Sequence, residues 1–352
     1  MPVREPFELG GKKIPPGTRT SIDVPVMQLS THTPMAMPVH VIHGRRPGPT
    51  LFICAALHGD EINGVEIIRR LLRLTALNRV RGTLIAVPIV NVFGYITLSR
   101  YLPDRRDLNR SFPGSSRGSM AGRLADIFVK EVVSKATHGI DLHTGAIHRD
   151  NYPQIRANLD DPDTLRLAEA FGAPIMINAD IRPGSLRAVA SARDIPVPVL
   201  VYEAGEALRF DEVAIRADVN GVTRVMRTLN MLPGRKPGPR PGVVVRNSGW
   251  VRAPASGGLR TLAPLGTWVS AGDTLGVVSD PFGETETPIS SRYDGVIVGR
   301  TNLPIVQEGD AAFHIGLTEG TKADAMALDF FEPHQDYEMG ETAEISEEPE
   351  IV

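Results

Sequence analysis

Two histidines and a glutamate hold the chemistry this sequence can concentrate at one point. His58 and Glu61 stand three residues apart in His58-Gly59-Asp60-Glu61, and His143 lies downstream in Gly139-Ile140-Asp141-Leu142-His143-Thr144-Gly145. A catalytic zinc usually takes three protein ligands and leaves one position for water. A His₂Glu set supplies those three. An isolated His-x-x-Glu also arises by chance, and His143 can equally be a packed histidine. Three features favour the metal reading: both segments sit at strand ends, their neighbours are small, and His143 is flanked by Asp141 and Gly145. Asp60 can point away from the site, and Asp141 is placed to orient a ligand histidine from behind.

Such a site needs an acid/base and groups that hold the substrate. Glu203 follows the apolar Pro198-Val199-Leu200-Val201-Tyr202 and precedes Ala204-Gly205. A carboxylate at a strand end can take a proton from an activated water and return it to a leaving amine. Capping or surface exposure is the plainer reading, and Glu206 is its rival. Arg100, Arg105, Arg106, Asn109 and Arg110 crowd one loop. A guanidinium is a planar fork suited to a substrate carboxylate, and a second one can face an oxyanion. The alternative is a solvated loop paired internally with Asp104 and Asp107. Arg110, beside Asn109, is the strongest candidate, with Arg100 next. His148, Tyr152 and Arg156 can line the pocket or be ordinary loop residues. Nucleotide use lacks any Gly-x-Gly-x-x-Gly or phosphate-loop pattern, and Gly-x-Ser-x-Gly is missing as well.

The surrounding sequence supplies the elements that must position these groups. Leu51–Ala56 is an apolar strand, and Ile62–Leu74 is an amphipathic helix. Gly82–Pro88, Gly139–Leu142 and Val197–Tyr202 read as further buried strands, as in a parallel sheet covered on both faces. Helices are expected over 119–135 with Ser119 as cap, from Asp161 to Phe171, and over 211–231. The last has an apolar stripe of Val213, Val219, Val222, Val225, Met226 and Leu229. Ser185–Arg193 is a short helix or loop. Ser21–Leu29 and Met35–Ile42 are short strands, with Pro38 marking the second as an edge strand or strand start. Residues 1–20 and 91–98 read as loops, and 44–49 as a turn. Repeated strand–helix pairs imply an α/β layer structure.

Residues 233–242 form a Pro/Gly-rich linker. Beyond it, short alternating runs broken by Gly or Pro indicate a small all-β unit with two half-repeats. The last 22 residues hold seven Glu and one Asp without Lys or Arg, a composition expected of a flexible tail. The 352 residues carry 38 basic and 41 acidic side chains, so a net charge of −3 gives no reason to expect nucleic acid or a lipid surface. One cysteine, Cys54, excludes a disulfide scaffold and fits a reducing compartment. With no signal-peptide pattern and no membrane-length apolar run, the cytoplasm is the expected location.

Taken together, His-Gly-Asp-Glu, Asp107-Leu108-Asn109-Arg110-Ser111-Phe112-Pro113-Gly114, Asp141-Leu142-His143-Thr144-Gly145 and Val201-Tyr202-Glu203-Ala204-Gly205 resemble the succinylglutamate desuccinylase/aspartoacylase family of zinc carboxypeptidase-like hydrolases. The resemblance spans roughly residues 20–320. It implies an α/β, three-layer zinc-carboxypeptidase-like domain over 36–232 with a mostly parallel or mixed central sheet. A 1–35 extension would precede it. A barrel resembling a biotinyl/lipoyl domain would occupy 243–320, and the acidic tail 321–352. By resemblance His58, Glu61 and His143 hold one Zn²⁺ per chain, Glu203 is the acid/base, Asn109 and Arg110 hold the substrate carboxylate, and Arg100 faces the oxyanion. Asp104-Arg105-Arg106 replaces the family's usual Asp-Gly before this loop. The barrel has no Lys at its Ser291–Gly295 turn and so cannot be a carrier.

The implied activity is hydrolysis of the amide of a small N-acyl amino acid, of acetyl or succinyl type, with N-acetyl-diaminobutyrate as one specific substrate. The other readings are a zinc carboxypeptidase acting on peptides and a non-catalytic binding protein. A homo-oligomer is left open.

Overall fold

The computed structural model describes residues 4–318 except 195 and 241. The expected acidic tail lies outside the described residues. The chain begins with a hairpin, β1 (Phe7–Leu9) and β2 (Lys12–Ile14), where a loop was expected. Its few strand residues sit within a turn-rich, polar sequence that conceals them. Next come β3 (Thr18–Gln28) and β4 (Pro34–His43), paired antiparallel. Met37, Val39 and Val41 of β4 point together into the core, as the alternation predicts. The edge strand is β3, not β4. Proline is accommodated because β4 meets its second neighbour only over His40–His43, beyond Pro38.

The central part alternates as expected: β5 (Arg46–Ala55), α1 (Asn63–Leu72), β6 (Arg81–Val87), α2 (Val92–Ile96), α3 (Met120–Glu131) and β7 (His138–Gly145). It continues with β8 (Arg149–Ala157), α4 (Pro162–Phe171), β9 (Ile175–Asn178), α5 (Leu186–Ser191), β10 (Val199–Glu206) and α6 (Glu212–Thr228). Ser119, Asp161, Ser185 and Asp211 cap their helices by accepting a hydrogen bond from a backbone N–H of the first turn. The turn before β5 is shorter than expected, because the strand already starts at Arg46. The α2 and β8 segments, expected as loops, are helix and strand. On α6, Val213 departs from the predicted stripe and is 48% exposed, whereas Val219, Val222, Val225 and Met226 are buried.

The sheet is mixed. Strands β10, β7, β5 and β6 run parallel in that spatial order, β8 is antiparallel to β10, and β9 is parallel to β8. Alternate residues of β5 face opposite layers. Leu51, Ile53 and Ala55 join α1, α4 and α6 in one core. Phe52 and Cys54 join α3 and α5 in the other. Fully apolar parallel strands are what this two-sided burial requires.

The C-terminal strands are β11 (Val243–Arg252), β12 (Gly257–Thr261), β13 (Trp268–Val269), β14 (Thr274–Ser279), β15 (Glu286–Ser290), β16 (Gly295–Thr301), β17 (Ile305–Val306) and β18 (Ala311–Thr318). Four of them, β15-β14-β12-β17, form a separate antiparallel sheet over its own apolar cluster. The others do not stay apart. Val243–Val245 of β11 pair in parallel with Ile175–Ile177 of β9, and β16 pairs with the start of β8. One sheet of twelve strands therefore runs through both parts of the chain. Among the described residues, no helix is long and apolar enough to cross a membrane.

Candidate metal centre and acid/base site

Strand β5 ends at Ala55, and the chain then bends through Ala56 at φ +50. This bend is tied to the loop ahead of α2, because Val90 N and Asn91 N donate to the Ala55 and Ala56 carbonyls. Gly59 lies flat on α2: a Cβ there would sit 1.9 Å from the Gly94 carbonyl carbon. Glycine is needed by this close approach. Asn63, buried at the head of α1, donates to Ala204 O and accepts from Asp211 N. The loop carrying His58 and Glu61 is thereby fastened to the end of β10.

His58, Glu61 and His143 come together, and all three are buried. His58 Nδ1 lies 2.7 Å from Glu61 Oε1, and His143 Nδ1 lies 2.6 Å from Glu61 Oε2. One ligand-type atom from each falls within 4.8 Å of the others. The outer nitrogens are held as well, with His58 Nε2 3.2 Å from Asp107 Oδ1 and His143 Nε2 2.9 Å from Asp141 Oδ2. Asp141 also accepts from the buried Cys54 thiol at 3.3 Å. Carboxylates behind metal-binding histidines fix tautomer and ring orientation. Two imidazoles and a carboxylate, each braced in this way, fit a borderline divalent cation such as zinc.

The electrostatics agree with a cation site. Burial by itself would raise the Glu61 carboxyl, yet His58 and His143 hold it far below the usual range. Burial likewise opposes the charged form of His143, and Asp141 with Glu61 push it well above the ordinary value. Negative charge in a dry site thus draws positive charge inward. Asp60 does not join the group. It is buried, with one oxygen lacking a partner among the described residues.

Glu203 is the register partner of His143 across the parallel β10–β7 ladder, so both side chains face the same side of the sheet. On its other flank it meets β8, where Asn151 Nδ2 donates to Glu203 Oε2 at 2.9 Å and Arg156 Nη2 lies 3.1 Å from the same oxygen. Glu206 turns elsewhere, accepting from His148 N and Asn302 Nδ2. Arg100 donates to Glu61 Oε1 at 3.1 Å and to Asp107 Oδ2 at 3.0 Å, and approaches His58 Nδ1 at 3.2 Å. It is the guanidinium in contact with the three-residue group. Asn109 accepts from Leu186 N through Oδ1, which docks its loop on the start of α5. Arg110 Nη1 bonds to Asn109 O at 2.5 Å, and this side chain reaches no ion-pair partner among the described residues. Arg105 and Arg106 contribute nothing to the group.

The sequence reading names Arg156 only as a pocket or loop residue and misses Asp107 and Asn151 as contributors. Asp107 looks like an internal ion-pair partner, although its place two residues before Asn109 is a signal: its Oδ1 also accepts from Asn109 N, a local Asp turn. Asn151 and Arg156 lie in β8, whose polar, proline-containing sequence hides a strand.

The succinylglutamate desuccinylase/aspartoacylase catalytic domain matches residues 47–229. The chain belongs to this family, whose named members are deacylating hydrolases. It is 28% identical over 287 residues to the N-alpha-acetyl-L-2,4-diaminobutyric acid deacetylase of Halomonas elongata, covering 78% of this chain and 83% of the relative. A succinylglutamate desuccinylase/aspartoacylase structure from Rhodobacter sphaeroides superposes with TM-score 0.75 at 25% identity, covering 85% of this chain and 96% of that one. The product-bound ectoine utilization protein EutE of Ruegeria pomeroyi has the same fold, with TM-score 0.75 at 24% identity over 86% and 95% of the two chains.

Proposed function

We propose that the chain is a zinc-dependent amidohydrolase that removes a short acyl group from a small N-acyl amino acid. The observation that carries this reading is the braced His58–Glu61–His143 group with Glu203 as register neighbour of His143. Zinc held by these three residues would supply a Lewis acid for the amide carbonyl and make water acidic enough to attack near neutral pH. Glu203, held through one oxygen by Asn151 and Arg156, accepts the proton of the attacking water and returns it to the departing nitrogen. Arg100 neutralises charge developing on the carbonyl oxygen. Arg110 receives the substrate carboxylate on a loop fixed by Asn109.

The 28% identity to the Halomonas deacetylase supports an acetyl group on a diamino acid as the first substrate to try. The test is metal analysis of the purified protein together with amine release from N-acetyl-diaminobutyrate, N-acetyl-aspartate, succinyl-glutamate and short peptides. One zinc per chain, release from an N-acyl amino acid, and loss of release but not of zinc in Glu203→Gln is the expected outcome. Turnover confined to peptides, or activity that survives His58→Ala, would sink the reading.

A further inference from the structure

The opposite end of the central sheet carries a second polar site. A cleft of about 720 Å³ opens where β3, β5 and β6 begin, with the 3₁₀ turn Thr75–Arg79 and Pro233 on its walls. Five arginines line it, namely Arg19, Arg45, Arg46, Arg79 and Arg81, and among the described residues no carboxylate does. All five are exposed. Arg19 donates to His40 Nε2 and Leu72 O. Among the described residues the other four form no ion pair and no side-chain hydrogen bond.

Two of them are neighbours on adjacent strands. Arg46 and Arg81 are direct partners across the β5–β6 ladder. The ladder is parallel there, and it sets two like charges side by side at the cleft. Two glycines lie close against this cluster. Gly17, at φ +80, lies under Arg45, where a Cβ would come within 2.6 Å of Nε. Gly44 presses on the start of β6, with a Cβ position only 2.0 Å from Val80 O, and its N–H donates to Gly82 O. The backbone at Gly44, between Arg45 and the end of β4, is thus closely packed on the start of β6.

We propose that this cleft binds a compact polyanion carrying two or more phosphoryl groups. A guanidinium presents a rigid fork that matches phosphate oxygens, and five of them need several negative charges within a short span. A linked di- or triphosphate concentrates charge in that way, whereas a monocarboxylate occupies one fork. The volume falls within the roughly 300–1,000 Å³ of small-molecule sites. The β5–β6 ladder advances six residues on β6 from Arg46–Arg81 at the cleft to Cys54–Val87 beside the ligand loop, roughly 20 Å at about 3.3 Å per residue. The cleft is therefore separate from the metal centre, and the proposal does not depend on amide hydrolysis.

The test is calorimetric titration of the full chain with tripolyphosphate, orthophosphate and citrate at one ionic strength. Tripolyphosphate is expected to saturate a single site at least about tenfold more tightly than either comparison anion. The double variant Arg46→Gln/Arg81→Gln should weaken it by roughly tenfold or more while staying folded. Arg110→Ala, at the metal end, should leave it unchanged. If the double variant fails to fold by circular dichroism, Arg45→Gln/Arg79→Gln, in turns, takes its place. No saturable binding, citrate binding as tight as tripolyphosphate, or undiminished affinity in a folded cleft variant would overturn the proposal.

Discussion

Arg156 Nη2 lies 3.1 Å from Glu203 Oε2, on the strand next to the one that carries Glu203. The residue is carried by β8, between Ile155 and Ala157, both buried in the core. The carboxylate proposed to accept and return a proton is here steered by a strand rather than by a loop. Glu203→Gln is expected to lower kcat by about a hundredfold or more while the metal stays bound. Arg156→Ala should lower kcat by roughly tenfold with little change in KM, and Arg156→Lys should recover part of the loss. Steady-state kinetics with metal analysis of each variant checks both. Equal loss in Arg156→Ala and Arg156→Lys, together with lost metal, would mean that the residue only supports the fold.

Asp141 holds His143 from behind and is itself held by Cys54. Asp141→Asn should weaken metal binding by about 10–100-fold, because the histidine loses the group that fixes its orientation. Competition with a chelator measures this directly. Unchanged affinity would show that His143 is positioned by β7 alone.

Among the described residues Arg110 reaches no carboxylate, which leaves its fork available to a ligand. Arg110→Ala should raise KM for an N-acyl amino acid by about tenfold or more and change kcat less. A substrate whose carboxylate is converted to an amide should lose the same factor with the parent enzyme and nothing further with the variant. An additional loss with the variant would refute the pairing.

Asp218 on α6 is fully buried, and neither of its oxygens has a hydrogen-bond partner among the described residues. Burial pushes its carboxyl well above the ordinary 3.8. An acid whose pKa is raised by folding keeps its proton in the folded state. Its contribution is most favourable below the unfolded value and is lost as pH climbs toward the folded one. Asp218→Asn should therefore melt higher than the parent at neutral pH, by roughly 2–4 °C, with the difference shrinking as pH falls toward 4. Thermal melts across pH test this. A constant difference at all pH values would contradict it.

The three-residue group was legible because each half is local. His58 and Glu61 lie in one short turn after an apolar strand, and His143 ends another, so spacing and polarity suffice to flag them. Asp107 stood out only as an internal ion-pair partner and Arg156 only as a pocket or loop residue, because their significance lies in pairings across the fold. Strand β8 shows why. Gln154, Asn151 and Arg156 serve the interior of a sheet by making polar contacts there, so the sequence lacks the apolar alternation that marks a strand. The junction after the linker was hidden for a related reason. The Val243-Val244-Val245 run reads as the start of a new unit, and only the three-dimensional neighbour, β9, reveals that it extends the old one.

That extension bears on how the protein can be divided. A fragment stopping at residue 242 would strip β9 of its parallel partner β11 and β8 of its contact with β16, leaving two rows of backbone donors and acceptors open to solvent. Gly299 of β16 also abuts Asn151, since a Cβ there would lie 2.8 Å from Asn151 Oδ1. Truncation would thus remove the backing from the residue that steadies Glu203. The hydrolase portion, expressed by itself, would be prone to associate through those open edges, and heating the whole chain should melt both portions in one transition.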